Sequence, residues 1–377
     1  MGADTLRLAQ AKIARLAGQQ QDLVSFWRGV TAVLGGAVPH FRAPCFFTMD
    51  PASLLITSHF QEGLPEFPAN WLTHEYLGDD VHQLADVGRS DRGISTLHEV
   101  TGGDPASSPR WHANMAYGGD QEMIAALRTR TGDIWGALSL YREPGRPLFE
   151  PVELAFIQAI APALAEGVRR ALLFGEATDP DFPDAPGLLI LTGSGDVESV
   201  TPGTERWLAD LPDGDWATGR LPSSVLAVAG QALRSVQHPG VPGMVAMSRV
   251  LSRTGTWVVL HGACLATTGQ ERVAVIVEPA HPGRISPLLM SAYGLTEREQ
   301  ELTRLVLQGN STAEIATKLV LSAHTVQQHL QNVFDKTGVR SRRDLVGKIF
   351  FAHYEPRLRD NEQRAQHDRP LRGGPYR

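Results

Sequence analysis

The feature that most constrains this chain is a rapid succession of helix-start signals near its end. Thr296-Glu297-Arg298-Glu299 and Ser311-Thr312-Ala313-Glu314 are both Ser/Thr-x-x-Glu capping boxes. In such a box the hydroxyl and the carboxylate each accept a backbone N–H that a helix start leaves unpaired. Ser322 can cap a third helix, and Ser341 with Asp344 opens a fourth. Apolar residues follow at helical spacing: Leu302, Leu305 and Val306; Ile315, Ala316 and Leu319; Val326, Leu330 and Val333; then Leu345, Val346, Ile349, Phe350 and Phe351. Gln308-Gly309 ends the first helix, and Gly338 stops the third in a left-handed cap. Four short helices with short connections predict a compact all-α bundle. The span Ser311 to Leu330 joins its second and third helices by Val320-Leu321 and the capping Ser322 alone. That is the layout of a helix-turn-helix, whose second helix enters a DNA major groove. By spacing alone, any small helical bundle fits as well.

Charge separates this end from the rest. Residues 290–377 hold 14 Lys and Arg against 10 Asp and Glu, a net of +4; with the chain at −6, residues 1–289 carry −10. An acidic body with a basic end points to a polyanion contact by that end. A solvated tail explains the same charge, because many of the arginines follow Tyr354. Lys12 is the sole lysine before Lys318. That removes a phosphate-cradling P-loop, which needs Gly-Lys-Ser/Thr, and the late lysine of a phosphoacceptor receiver domain.

At 377 residues the chain has room for two or three domains. Residues 4–35 read as helix, with Leu23, Phe26, Trp27, Val30, Val33 and Leu34 on one face. "CFFTMDPASLLITSHF" reads as a hairpin around Asp50-Pro51, and "NWLTHEYLGDDVHQLADV" as helix. "EMIAALRTRTGDIWGALSLY" is a second strand pair, and "EPVELAFIQAIAPALAEGVRRALL" an amphipathic helix containing Pro162. This order predicts an α+β domain with an antiparallel sheet flanked by helices. "GEATDPDFPDAPG" is a linker. Beyond it come an apolar strand, the turn "GSGD", a short strand, a helix from about Pro202 and two strands, "TWVVLHGACLA" and "RVAVIVEP". "AHPGRISP" reads as a second linker, and the last residues as a disordered tail.

These patterns resemble known families. Residues 20–175 are similar to a GAF-type sensory domain and 188–279 to a PAS-type module, with Thr201-Pro202 where that family often has Asn-Pro. "LTEREQE", "GNSTAEIATKL", "LSAHTVQQHLQNVFDK" and "GVRSRRDL" closely resemble the DNA-binding domain of the LuxR family of bacterial transcription regulators. The expected layout is multidomain: a GAF-like α+β domain with its N-terminal helices over 1–175, a small PAS-like α+β module over 188–279, an all-α four-helix LuxR-type helix-turn-helix domain over 288–354, and a basic tail over 355–377.

The resemblance implies a transcription regulator that binds double-stranded promoter DNA, as a homodimer on two half-sites, with the N-terminal modules biasing binding through a small-molecule or protein effector. RNA polymerase is an expected partner. With Val326, Leu330 and Val333 inward, Gln327, Gln328 and Gln331 point outward. In the family those positions reach base edges and phosphates, and a Gln amide can bond bidentately to adenine. Gln328 and Gln331 are the expected base readers. Ser322, His324 and Thr325 sit where the helix N-terminus meets phosphate. Lys318, Lys336, Arg340, Arg342 and Arg343 are the candidate phosphate contacts. The family usually has Lys where this chain has Gln327, which removes one cation. His329 is expected to be a packed structural residue. Phe350 and Phe351 cannot both face one core, so one of them is a candidate dimer contact. The runner-up reading is a bundle that docks a protein, such as RNA polymerase, in place of DNA.

No enzyme, metal or cofactor pattern is legible. Cys45 and Cys264 build no Cys-x-x-Cys site. His40, His59, His74, His82, His98, His112 and His238 are scattered, with no His-x-x-His spacing. Asp79-Asp80 reads as a solvated pair, and Trp71, Trp111 and Trp135 as core or as the lining of a pocket. No secretory signal or run of about 18 apolar residues appears, so a cytoplasmic protein without membrane contact is expected.

Overall fold

The computed structural model describes residues 3–62, 75–76, 80–173, 185–238, 245–265, 271–280 and 282–353. Trp71, His74, Asp79, most of the first linker, the side chains of Phe350 and Phe351, and the tail from 354 lie outside the described residues. The chain divides into two compact units, one holding both sheets and the other the C-terminal helices.

The first unit opens with α1 (Ala3–Ala17) and α2 (Leu23–Leu34). The single helix expected over 4–35 is thus two. Gly18 interrupts it, and the Asp22 carboxylate restarts it by accepting the Ser25 N–H at 2.9 Å. Then follow β1 (Phe41–Met49), β2 (Ile56–Phe60), α3 (Leu84–Arg89), β3 (Ile94–Thr96), α4 (Leu97–Val100), α5 (Pro109–Met115), β4 (Gln121–Arg128), β5 (Ile134–Arg142) and α6 (Pro151–Ala171). Both expected hairpins are present. Of the helix expected over the segment ending at Val87, the described part is helical only at 75–76 and in α3. Asp80 is not on a solvated helix face. Its carboxylate accepts from the Ser108 hydroxyl at 2.9 Å and the Arg110 N–H at 2.6 Å, which caps α5.

The first sheet has the order β2-β1-β5-β4-β3. Trp27 of α2 stacks on Phe46 of β1 with ring centroids 4.1 Å apart. Gly167 of α6 makes room for α2, since a Cβ there would lie 2.1 Å from Phe26 Cζ. α6 is long and apolar enough to cross a membrane by length and composition. Here Ile157, Ile160, Leu164 and Val168 are buried and the helix packs on β4 and β5, as a core helix does.

The other face of this sheet carries a buried charge cluster. Arg110 donates to Glu122 through Nε at 2.6 Å and Nη2 at 3.1 Å, and to Glu75 through Nη1 at 2.8 Å. Asn114 and Tyr141 also donate to Glu122. His82 Nδ1 lies 3.8 Å from Glu122. Burial pushes the Glu75 pKa up to about 7, partly offset by Arg110, and pushes His82 down to about 4, partly offset by Glu122.

The second sheet is built from β6 (Gly187–Thr192), β7 (Val197–Val200), β8 (Met247–Leu251), β9 (Trp257–Leu265) and β10 (Arg272–Pro279), with α7 (Thr204–Asp210) and α8 (Ser223–Gln237) between. Its order is β7-β6-β10-β9-β8. Numbered within each module, both sheets run second, first, fifth, fourth, third. Both are small antiparallel α+β modules, GAF-like and then PAS-like in layout. Neither α8 nor β8 is signalled by the sequence pattern.

The two modules share a buried junction. Asp50, at the end of β1, is 1% exposed. It accepts from the Arg249 backbone N–H and Nε of β8, both at 2.9 Å. Helix α8 lies against β2, and a Cβ on Gly230 would meet Tyr76 Cβ at 2.5 Å.

The second unit contains α9 (Pro282–Ala292), α10 (Glu297–Leu307), α11 (Thr312–Leu319), α12 (Ala323–Thr337) and α13 (Arg342–His353). The second expected linker is therefore largely helix. Pro282 stands at the start of α9, where its missing N–H costs nothing. The four helices expected from the capping signals are α10 to α13.

Candidate nucleic-acid interface

Local chemistry sets the position of every helix in the bundle. At α10 the Thr296 hydroxyl accepts the Glu299 N–H, and the Glu299 carboxylate accepts the Thr296 N–H at 2.8 Å. Ser311 and Glu314 repeat this at α11, with the return bond at 2.7 Å. Ser322 accepts the Thr325 N–H at 3.0 Å and starts α12. The turn between α11 and α12 needs one left-handed residue, and Val320 supplies it at φ 54° while 90% exposed. Gly338 ends α12 in the same region at φ 68°.

Val326, Leu330 and Val333 of α12 are buried with Leu302, Val306, Ile315, Leu319 and Leu345 in one core. Burying that stripe fixes the opposite one. His324, Gln327, Gln328 and Gln331 are exposed, and their i, i+3, i+4, i+7 spacing puts them on a single face. Thr325 and His329 are half-buried at its border. The face thus presents amides and an imidazole, groups that can donate to or accept from base edges.

Three of these side chains are held by neighbours. Gln327 Nε2 donates to Thr312 Oγ1 at 3.3 Å. Gln331 Nε2 donates to Asp335 Oδ1 at 2.9 Å, one turn further along α12. The Ser322 and Thr325 hydroxyls lie 2.8 Å apart. Asp335 was not among the expected site residues. Its i+4 position relative to Gln331 is the signal that could have found it.

The expected phosphate contacts divide into two groups. Arg340 and Arg343 are exposed, and Lys318 is exposed with its ammonium 2.6 Å from Asn310 Oδ1. Lys336, itself exposed, and the half-buried Arg342 are paired with groups of the bundle. Lys336 Nζ lies 2.6 Å from the carboxylate of Glu299, which is 4% exposed. Burial would raise the Glu299 pKa, but Lys336 and the Thr296 N–H outweigh it and hold it below the usual carboxylate range. Arg342 donates to Thr312 Oγ1 at 3.1 Å and to the Asn310 carbonyl, tying α13 to the start of α11. These two cations hold α12 and α13 in place, a role the sequence reading did not give them.

Residues 294–348 match the family of bacterial regulatory proteins described as the luxR family. The spore germination protein GerE of Bacillus subtilis is 42% identical over 55 residues, which are 15% of this chain and 74% of that protein. This chain belongs to the luxR family. Membership makes it a DNA-binding regulatory protein of the bacterial type through its C-terminal helix-turn-helix domain. Among solved structures, SdiA of Escherichia coli aligns over 92% of this chain and 97% of its own, at 11% identity and a TM-score of 0.32. The phycoerythrobilin-bound GAF domain of a cyanobacterial phytochrome aligns over 45% of this chain and 96% of its own, at 18% identity and a TM-score of 0.33.

Proposed function

We propose that α12 is the recognition helix of a sequence-selective regulator, with Gln328 and Gln331 reading base edges in the major groove. The observation that carries this reading is the single exposed stripe of His324, Gln327, Gln328 and Gln331 opposite a fully buried one. Ser322, His324 and Thr325 meet backbone phosphate at the start of the helix. Lys318, Arg340 and Arg343 add cationic contacts, and Lys336 and Arg342 brace the helices through Glu299 and Asn310. Gln327 holds α12 to α11 and faces the same groove. The regulator acts in the cytoplasm, binds two half-sites as a homodimer, and recruits or obstructs RNA polymerase at a promoter. The two sheet modules bias that binding through an effector. The test is selection of random duplex DNA by the full chain. An enriched two-fold symmetric motif supports the reading. Absence of any DNA binding at low salt would overturn it in favour of a bundle that docks a protein.

A further inference from the structure

The PAS-like module contains a cavity of about 520 Å³, within the roughly 300–1,000 Å³ range of small-ligand clefts. Its apolar wall is one side of α8, contributed by Leu226, Ala229 and Leu233. Its rim is made by two turns, Thr192–Val197 and the loop from Gly214 to Leu221 that carries Trp216 and Arg220. His59 of the GAF-like module closes another side.

The wall of this cavity is firmly built. Asp213 accepts from the His59 backbone N–H at 3.0 Å and from the Ser223 N–H at 2.9 Å, and its carboxylate also lies 3.0 Å from His59 Nδ1. The same residue therefore anchors the loop, the first turn of α8 and strand β2. His59, Asp213 and Ser223 do not form a hydrolytic relay. The Ser223 hydroxyl also meets Nδ1, at 3.3 Å, whereas a relay needs the serine and the carboxylate on opposite ring nitrogens. The group left for an incoming molecule is the Arg220 guanidinium, on the exposed rim, which makes no hydrogen bond or ion pair among the described residues.

We propose that this cavity binds a small carboxylic acid with an apolar or aromatic body, its carboxylate on Arg220 and its body between Trp216 and the α8 wall. A planar guanidinium matches a carboxylate in a two-pronged pair, and an apolar body displaces water from Leu226, Ala229 and Leu233. The proposal goes beyond DNA recognition and does not depend on it. Occupancy would bear on the loop that Asp213 ties to β2, so both sheet modules would feel the ligand.

The test uses the purified full chain and ligand-observed NMR titration with benzoate, phenylacetate, indole-3-acetate and octanoate, each beside its neutral amide. The expected result is that at least one acid binds and is preferred over its amide by about tenfold or more, the scale of one charged hydrogen-bonded contact. Arg220→Gln, at an exposed position, should abolish that preference, and Ala229→Leu, which fills the wall, should weaken acid and amide together. Failure of every acid to bind, or undiminished preference in Arg220→Gln, would overturn the proposal. Thermal unfolding of both variants separates loss of the site from loss of the fold.

Discussion

The bundle and the double-sheet unit are held together by different means. In the bundle, the contacts that set where each helix starts are local. Four serine or threonine caps, two return bonds from Glu299 and Glu314, and one apolar stripe set the helices. In the double-sheet unit the decisive contacts join residues far apart in the chain. Asp50 meets Arg249 and His59 meets Asp213. Glu75, Arg110 and Glu122 meet beneath the first sheet. Local contacts are readable from a short window of sequence, and distant ones are not.

The largest expected effect tests the junction. Asp50→Ala removes the buried carboxylate partner of the Arg249 guanidinium and should cost the double-sheet unit about 3–5 kcal/mol. Urea unfolding of the full chain should show that loss, while the isolated stability of the bundle, read by hydrogen exchange in α12, stays unchanged. Equal losses in both would erase the contrast.

A smaller effect tests local strain in the bundle. Val320 is a β-branched residue in the left-handed region, which costs about 1–2 kcal/mol relative to an unstrained position. Val320→Gly should stabilise the bundle by about 1 kcal/mol after the added chain entropy of glycine is deducted. Gly338→Ala, at the matching cap of α12, should have the opposite sign. Thermal unfolding of the two variants checks both.

The smallest effect is acid sensitivity. Two bonds with Ser311 hold Glu314 below its ordinary value, and Glu299 is depressed as described above. For depressed carboxylates the stabilising contribution is complete above the unfolded pKa, about 4.3 for Glu, and is lost as pH falls through the folded value. Helical signal from the bundle should therefore fade below about pH 4. Glu299→Gln should shrink the pH-dependent part. The cluster beneath the first sheet should respond less between the two ordinary pKa values. There Glu75 holds a proton on folding that His82 has given up.

The legibility of the fold follows the same division. The helices from α10 to α13 were readable because Thr296, Ser311, Ser322 and Ser341 each sit at the cap they signal. The outward face of α12 was readable because Val326, Leu330 and Val333 leave only one side for Gln328 and Gln331. Helix α8 was missed because its start has no capping side chain of its own. Pro222 precedes it, and the acceptor comes from Asp213, ten residues upstream in sequence. Its Ala- and Gly-rich interior also gives a weak periodic signal, since Gly230 serves the approach of Tyr76. The break before α2 was missed because Asp22 acts as a cap inside an otherwise helical pattern. Lys336 and Arg342 were readable as cations, but their partners Glu299 and Asn310 lie more than two turns of helix away in the chain.

The central claim is that α12 separates affinity from specificity, with its glutamines carrying the second. The direct measurement is a binding titration of the full chain against its selected duplex and a scrambled one. It is run over a range of salt concentrations, with Gln328→Ala,Gln331→Ala beside the unaltered chain. The account predicts that the double variant loses about 1–3 kcal/mol of discrimination per base pair read, while the slope of affinity on salt stays the same because no phosphate contact is removed. An unchanged preference for the selected duplex, or a reduced salt slope with preference intact, would contradict it.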